Sequence, residues 1–585
     1  MGRARQILRH GWRTSVAVAV LSVALLAATE GRASSTPWRP APCWLLDSPQ
    51  AAYVSGGGLS LLQQACAGPV PGPQEAGSAQ LSGATPASGG FNVQLNDSSQ
   101  DTPPRTTQNE TAISICGSRA LAAWNDTGAP PGAYTGYARS LDGGEHWADG
   151  GTVPGVSGSD PALAADSRCR FYFAAIAFID GCGAIGVARS DNGGVSWGPF
   201  VSASRGTPCA NFQDKEGLAV DNTTGPFSGS VYVCWDDRGP DGIRLLFSRS
   251  TDAARSFSAP QTLATFAGGF ATGCQVAVAP DGRVHVVWTG ANDLRLAIRT
   301  SSDGGATFSS RLFIQSTVLN GDFGPCGASE VRPRLNGEIR TFNWPAFAVN
   351  PLTGSLHLAW NDGRSGNPDI LYVRSTDGVT WTAPVRLNDD STTTDQFQPA
   401  IAFTPQGVLR AVWYDRRLDP GNNFLIDVYS TVSAGNGQAF SQNGRLTDVS
   451  FRVPPLNPNF DPAAFPCYMG DYIGIAGADG RHLMAWGDNR NTVQGHPDPD
   501  VFYDSISVLA LGDVDCDFDI DARDGLQVLR AAAGLGVSAV CLETSADTDC
   551  GGDPMGTRAA RLASSLSSWI FSRTWPTTPR ADSIR

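Results

Sequence analysis

The chain of 585 residues is too long for one ordinary hydrophobic core, so a large body with smaller appendages is expected. A formal net charge of −13 excludes nucleic acid and anionic membrane as partners held by bulk electrostatics. The 13 cysteines fit no zinc-site spacing, and their odd number leaves at least one thiol free or paired between chains.

Arg3, Arg5, Arg9 and Arg13 precede an apolar run over residues 15–28, followed by the short stretch Gly31-Arg32-Ala33. That is the layout of a secretory signal peptide over 1–33, and it predicts an exported protein whose cysteines form disulfides. The run is shorter than the ~20 residues a bilayer span needs, and no later stretch is long and apolar enough to cross. Residues 34–90 read as a short segment that Cys43 and Cys66 can staple, then a flexible linker rich in Gly, Pro, Ala and Ser.

Residues 91–509 repeat one unit: an apolar strand, a turn, a strand ending in tryptophan, a polar loop, a strand ending Arg-Ser, and a glycine-containing turn. Four-strand units repeated in this way predict an all-β propeller. The second strands end at Trp124, Trp235, Trp288, Trp360, Trp413 and Trp486, with Phe178 in the equivalent place of the second unit. This makes seven units. His285 and His357 fall within alternating strand patterns and are read as strand residues. No fourth strand follows Val508, and residues 92–97 echo the fourth strand at 384–389, so the start of the body is expected to complete the last unit and close the ring.

Turns after the third strands carry the most specific signal. Ser140-Leu141-Asp142-Gly143-Gly144-Glu145-His146-Trp147 and Ser301-Ser302-Asp303-Gly304-Gly305-Ala306-Thr307-Phe308 are the fullest copies, with weaker ones starting at Ser190, Ser250 and Ser375. In each, the acid accepts backbone N–H bonds, glycine permits positive φ and the aromatic ring packs under the unit, which is a structural role. These turns resemble Asp boxes, and on them residues 91–509 resemble the sialidase-like superfamily. The resemblance implies a β-propeller of seven blades, or alternatively of the six that sialidases have; it bears on fold more than on activity.

Function is sought on the face opposite the Asp boxes. An aspartate stands two residues past the second strand in six units, at Asp126, Asp180, Asp237, Asp362, Asp415 and Asp488, and arginines follow at Arg238, Arg364, Arg416, Arg417 and Arg490. An Asp-x-Arg pair in a tight loop reads first as a turn cap with an ion pair, and second as part of an anion-binding ring. Between-blade loops add Asp160, Asp214, Lys215, Glu216, Asp471 and Tyr472, and Lys215 is the only lysine in the chain. By the resemblance, Tyr472 is the nucleophile, Glu216 its partner and Asp160 the acid; Lys215, Asp214, Asp471, Arg364, Arg417 and Arg490 bind substrate. The early Phe/Tyr-Arg-Ile-Pro motif of sialidases is absent, the nearest run being the late Phe451-Arg452-Val453-Pro454, read as a connector. Cys182, Cys209, Cys274, Cys326 and Cys467 fall in loops of the same face, where disulfides would pin loops around a pocket.

Over residues 510–565, Asp513, Asp515, Asp517, Asp521 and Asp524 take the first, third, fifth, ninth and twelfth places of a Ca²⁺ loop, with the Asp519 carbonyl at the seventh. An apolar helical pattern follows. The segment resembles a dockerin, a small α-helical EF-hand-like domain, with Phe518 where glycine normally turns the loop and a degenerate second repeat from Asp547; residues 566–585 form a tail. The resemblance implies Ca²⁺ as cofactor and a cohesin-like partner. Together these features point to a secreted, carbohydrate-directed protein: a sialidase-like glycoside hydrolase acting on extracellular glycans or polysaccharides, or a non-catalytic propeller binding glycan or protein at the cell surface. A purely structural role ranks third.

Overall fold

The computed structural model describes residues 43–46, 62, 66 and 92–507, the last range without 131–132, 156–157, 271, 320, 327–329, 454–455 and 457–458. The signal peptide, most of the linker, and the calcium-loop aspartates Asp513, Asp515, Asp517, Asp519, Asp521 and Asp524 lie outside the described residues.

The body is all-β, built from antiparallel sheets, seven of them with four or more strands and an eighth with three. The first runs from Gln108–Cys116 through Arg119–Asp126 and Thr135–Ser140 to Ala148–Asp149. Five further sheets open, in chain order, with Ala162–Ala165, Phe212–Val220, Gln275–Val278, Ala346–Val349 and Gln396–Phe403. The last consists of Gly474–Ala478, Arg481–Val493 and His496–Ser507, with Val93–Gln94 as its outer strand. The opening strands lie side by side in this order, and Gly474–Ala478 packs back against Gln108–Cys116, which closes a ring. Closure uses the segment expected from the sequence echo: Val93 pairs with Tyr503 and Gln94 with Phe502.

Each sheet is apolar on both faces, so its side chains must be buried against both neighbours. The hydrophobic core is accordingly divided into clusters that straddle successive sheets all the way round, the one holding Trp124, Leu483 and Tyr503 spanning the seam between last and first. Trp124, Trp235, Trp288, Trp360, Trp413 and Trp486 are fully buried in these layers, where truncation of a large aromatic costs about 3–5 kcal/mol. His285 and His357 are strand residues, as expected.

The second unit corrects the sequence reading. Trp124 stands four residues past Ala120, which pairs with the box residue Ser140, and Trp235 stands four past Val231, which pairs with Ser250. In the second sheet Phe171 pairs with Ser190, so the tryptophan position is Ala175 and not Phe178. Asp180, in the turn that follows, is therefore not the counterpart of Asp126; that place is Ala177.

The Asp boxes close their turns in the same way. In the fourth sheet Ser301 Oγ accepts from Gly305 N at 2.8 Å and donates to Asp303 at 2.7 Å, while Asp303 accepts from Thr307 N at 2.8 Å. Gly305 has φ 77°, and a Cβ there would stand 2.7 Å from the Phe247 ring, so glycine is required on both counts. Disulfides join Cys43 to Cys66, Cys116 to Cys169, Cys182 to Cys209, Cys234 to Cys274 and Cys326 to Cys467. The first staples the segment ahead of the linker, whose Leu45 and Leu62 are buried in the cluster that the second and third sheets share. The last ties the three-stranded sheet of Asp322–Cys326, Glu330–Leu335 and Ile339–Arg340 to the chain that leads into the seventh sheet.

Candidate functional site

One position of the repeat builds the site. In six of the seven sheets the residue paired with the one just before the tryptophan place is Ala or Gly, and in the fourth it is Gln: Ala112, Ala162, Gly217, Gln275, Ala346, Ala400 and Gly474. Two residues before these, in order, stand Glu110, Asp160, Lys215, Gly273, Trp344, Gln398 and Tyr472. Five of the seven are left-handed, with φ 52° at Glu110, 61° at Asp160, 59° at Lys215, 55° at Gly273 and 51° at Gln398. The pairing register shifts beside Glu110, Lys215 and Gln398, so each is the extra residue of a bulge that turns its side chain from the sheet toward the ring axis. For residues other than glycine this conformation costs roughly 1–2 kcal/mol each. It is held from the neighbouring sheet by the residue after the tryptophan: Asn125 Oδ1 accepts from Asp160 N at 2.7 Å, and Asn361 Oδ1 from Gln398 N at 3.3 Å.

The axial side chains meet. Lys215 Nζ lies 3.1 Å from Glu110 Oε1, 2.8 Å from Asp160 Oδ2 and 2.9 Å from Asp471 Oδ2, and it also stands over the rings of Trp344 and Tyr472, 4.8 and 5.5 Å from their centroids. Arg340, from the three-stranded insert, donates Nε to Asp471 Oδ1 at 2.9 Å and lies over the Tyr468 ring. Asn125 Nδ2 donates to Glu110 Oε2 at 2.9 Å and to the Tyr468 hydroxyl at 3.1 Å. Below this cluster a cavity of about 210 Å³ runs along the axis, lined among others by Asp160, Lys215, Glu216, Trp344, Gln398 and Tyr472.

Carboxyl groups outnumber cations here, and burial separates them. Burial, followed by the Asp160 charge, raises both Glu110 and Glu216 well above the usual carboxyl range. Neither Glu216 carboxyl oxygen has a hydrogen-bond partner from another residue, so a neutral acid faces the cavity. Burial and Asp160 lift Asp214 to about 6, with Arg238 opposing. Burial also acts to raise Asp471, but Arg340 and Lys215 outweigh it and hold this carboxylate ionised. Lys215 stays charged because Asp160, Asp471, Glu110 and Asp214 overcome its own desolvation. Burial and surrounding carboxylates keep the Tyr472 phenol protonated, and its hydroxyl donates to Pro161 O at 3.3 Å. Groups of one chemical type held in opposite protonation states are what acid–base chemistry requires.

Of the residues expected from sequence, Asp160, Lys215, Glu216, Asp471 and Tyr472 come together on the axis, with Asp214 buried beside them against Arg238. Arg364, Arg417 and Arg490 do not join them. Each is tied to the aspartate two residues earlier: Arg364 Nε to Asp362 at 2.8 Å, Arg417 Nη2 to Asp415 at 2.8 Å and Arg490 Nη2 to Asp488 at 2.7 Å. The same aspartates accept the indole N–H of Trp360, Trp413 and Trp486, so these pairs are turn caps built on the tryptophan and no clamp is assembled. Glu110, Arg340, Tyr468 and Asn125 were not singled out from sequence. Glu110 was accessible to it, standing fourteen residues before Trp124 in the first repeat; Arg340 belongs to an insert that the repeat cannot place.

No model of a known protein family matches the chain, and no curated protein matches it. Similar solved structures include a Hadza microbial sialidase, at 14% identity and a TM-score of 0.35 over 64% of this chain and 73% of that one. A polysaccharide lyase of family PL25, an ulvan lyase, has 12% identity and a TM-score of 0.39, covering 68% and 94%. The leech intramolecular trans-sialidase has 12% identity and a TM-score of 0.36, covering 71% and 70%. At this distance the likeness assigns no residue a role.

Proposed function

We propose that the ring is a seven-bladed propeller and that the axial cluster is the working site of a secreted, carbohydrate-directed glycoside hydrolase. The observation that carries this reading is the strained convergence of Glu110, Asp160, Lys215 and Gln398, four non-glycine residues held left-handed to aim at one point. Structural packing alone has no need of a buried neutral carboxyl, an ionised carboxylate and a phenol around one cavity. Hydrolysis of a glycosidic bond does: Glu216, holding a proton and free of partners, is the group to donate to the leaving oxygen, and Asp160 and Tyr472, which line the same cavity, are the candidates for base or nucleophile.

The substrate class follows from charge. The described cations of the site, Lys215, Arg340 and Arg238, are already paired with carboxylates, and Arg364, Arg417 and Arg490 are capped away from it. A sugar bearing its own carboxylate, as a sialoside does, would be repelled, so the reading favours neutral glycans. Five disulfides support export, and the dockerin-like tail, its Ca²⁺ and a cohesin-like partner belong to the same proposal, resting on the motif alone.

A second reading, a non-catalytic glycan-binding propeller, is favoured by how completely Lys215 is satisfied, with only 3% of its side chain exposed. Hydrolysis by the purified protein of fluorogenic neutral glycosides and of a sialoside separates the two. Turnover of a neutral glycoside, falling at least about 10²-fold in Glu216→Gln and Asp160→Asn, is the expected outcome. Glycan binding without turnover on any substrate would replace the enzyme reading with the binding one.

A further inference from the structure

Away from the axis, at the seam where the ring closes, four aspartates crowd together. Asp498 and Asp500 lie on the strand His496–Ser507 of the last sheet, Asp101 follows the closing strand Val93–Gln94, and Asp126 ends a strand of the first sheet. One carboxylate oxygen from each of Asp101, Asp498 and Asp500 lies within 4.8 Å of the others. That separation is what two Ca²⁺–O bonds of about 2.3–2.6 Å span across a single ion.

The charges are not compensated by protein. After burial itself, the influences that raise Asp101 to about 8 are the carboxylates of Asp126, Asp498 and Asp500, with only the Gln108 amide opposing. Burial and then Asp498 raise Asp500 to about 7. No lysine or arginine is ion-paired with any of the four among the described residues.

A second, independent feature points to a ligand. Asp498 is only 6% exposed, yet its Oδ1 is shut off from solvent and accepts no hydrogen bond; Asp101 Oδ2 is in the same state. The Thr106 hydroxyl is the polar group that acts in favour of the Asp498 charge. By contrast, Asp500 is held in place, accepting from Asn96 Nδ2 and from Asn491 Nδ2, each at 2.6 Å. Buried carboxylate oxygens without donors are costly unless a cation takes the donors' place. A fixed carboxylate beside two others, Asp101 accepting from Gln108 Nε2 at 3.0 Å through Oδ1 alone and Asp498 lacking a donor at Oδ1, all oxygen and with no basic residue, is the donor set of a hard divalent ion.

We infer that Asp101, Asp498 and Asp500 form a Ca²⁺ site that ties the segment linking the closing strand to the first sheet onto the last sheet, at the seam of the ring. The site is separate from the calcium-loop aspartates of the tail. It also does not depend on what the axial cluster does.

The test uses the full-length protein stripped with chelator, then titrated with Ca²⁺ or Mg²⁺ while bound ion is counted by equilibrium dialysis and thermal unfolding is followed. Three proteins are compared: the parent, a tail variant (Asp513→Asn with Asp515→Asn) and a seam variant (Asp101→Asn with Asp498→Asn). The tail variant is expected to keep one bound Ca²⁺ and a rise in Tm of at least about 3 °C at a hundredfold excess over Kd. The seam variant is expected to lose that ion and that rise. In chelator it should melt no lower than the parent, because asparagine removes the repulsion without removing the side chain. Mg²⁺, which prefers bonds of about 2.0–2.1 Å, should produce a smaller rise. Loss of all Ca²⁺ response in the tail variant overturns the inference, as does an unchanged response in the seam variant or a seam variant that melts well below the parent in chelator.

Discussion

Glu216 is the residue in which the two demands on this molecule meet, because a carboxyl that is 8% exposed and without a partner is poor for folding and useful for chemistry. Its pKa is raised in the folded state by burial first and by Asp160 next, with Lys215 opposing. Between the ordinary glutamate range and the raised value, the folded chain holds a proton that the unfolded chain has released. The free energy of unfolding therefore falls as pH rises through that window, by up to about 1.4 kcal/mol per pH unit. Glu216→Gln removes this contribution. Thermal unfolding followed from pH 4 to 8 should find the variant near the parent at the acid end and increasingly more stable toward the alkaline end. A constant offset across the range would mean that Glu216 is not held neutral. In the same samples glycoside turnover should fall, which separates a proton donor from a merely buried side chain.

At the scale of elements, the Asp-box turn is a unit that depends on its serine as much as on its aspartate. Ser301 is buried, and it is the acceptor for the buried N–H of Gly305. Ser301→Ala leaves that donor without a partner, which costs about 1–3 kcal/mol; a lowered Tm for the fourth-sheet variant, with activity per folded molecule unchanged, is the expected result. Such turns were legible in the sequence because each is local: the serine, the acid and the glycine act within eight residues. So was the ring, since a repeat that ends each second strand in tryptophan leaves little choice of architecture. Phe178 misled because the second sheet carries Ala175 at the tryptophan place and extends its hairpin from Phe171–Ile179 into Cys182–Ser190, which puts an aromatic residue near the strand end by coincidence. The axial cluster was half legible. Lys215, Asp160 and Tyr472 drew notice by rarity or chemistry, whereas Glu110 is an ordinary glutamate until the pairing register places it on the axis. For Arg364, Arg417 and Arg490 the spacing pointed first to a turn cap, and the structure has that cap; the clamp came from the resemblance alone. The indole bonds to Asp362, Asp415 and Asp488 add the tryptophan to the turn.

For the whole molecule the question is whether closing the ring differs from pairing any other outer strand. The sequence echo between 92–97 and 384–389 has a structural basis in two buried asparagines. Asn388 accepts from Ile370 N at 2.9 Å and donates to Asp369 at 2.8 Å; Asn96 accepts from Val501 N at 2.9 Å and donates to Asp500 at 2.6 Å. Locally, then, Asn388→Ala and Asn96→Ala break equivalent bonds and should carry equal local costs. They differ in topology. Asn388 belongs to a sheet whose strands are continuous in the chain, whereas Asn96 joins segments about 400 residues apart, and its loss loosens the strand that reaches across the seam. Amide hydrogen exchange measured by mass spectrometry on the two variants distinguishes them. Asn388→Ala should raise exchange in residues 369–389 alone. Asn96→Ala should raise it in 93–97 and 496–507 and also in the first sheet, because the cluster containing Trp124, Leu483 and Tyr503 spans the seam and loses a wall when the closing strand lifts. Exchange confined to the closing strand itself would mean that sheet-to-sheet packing, and not strand exchange at the seam, holds the ring shut.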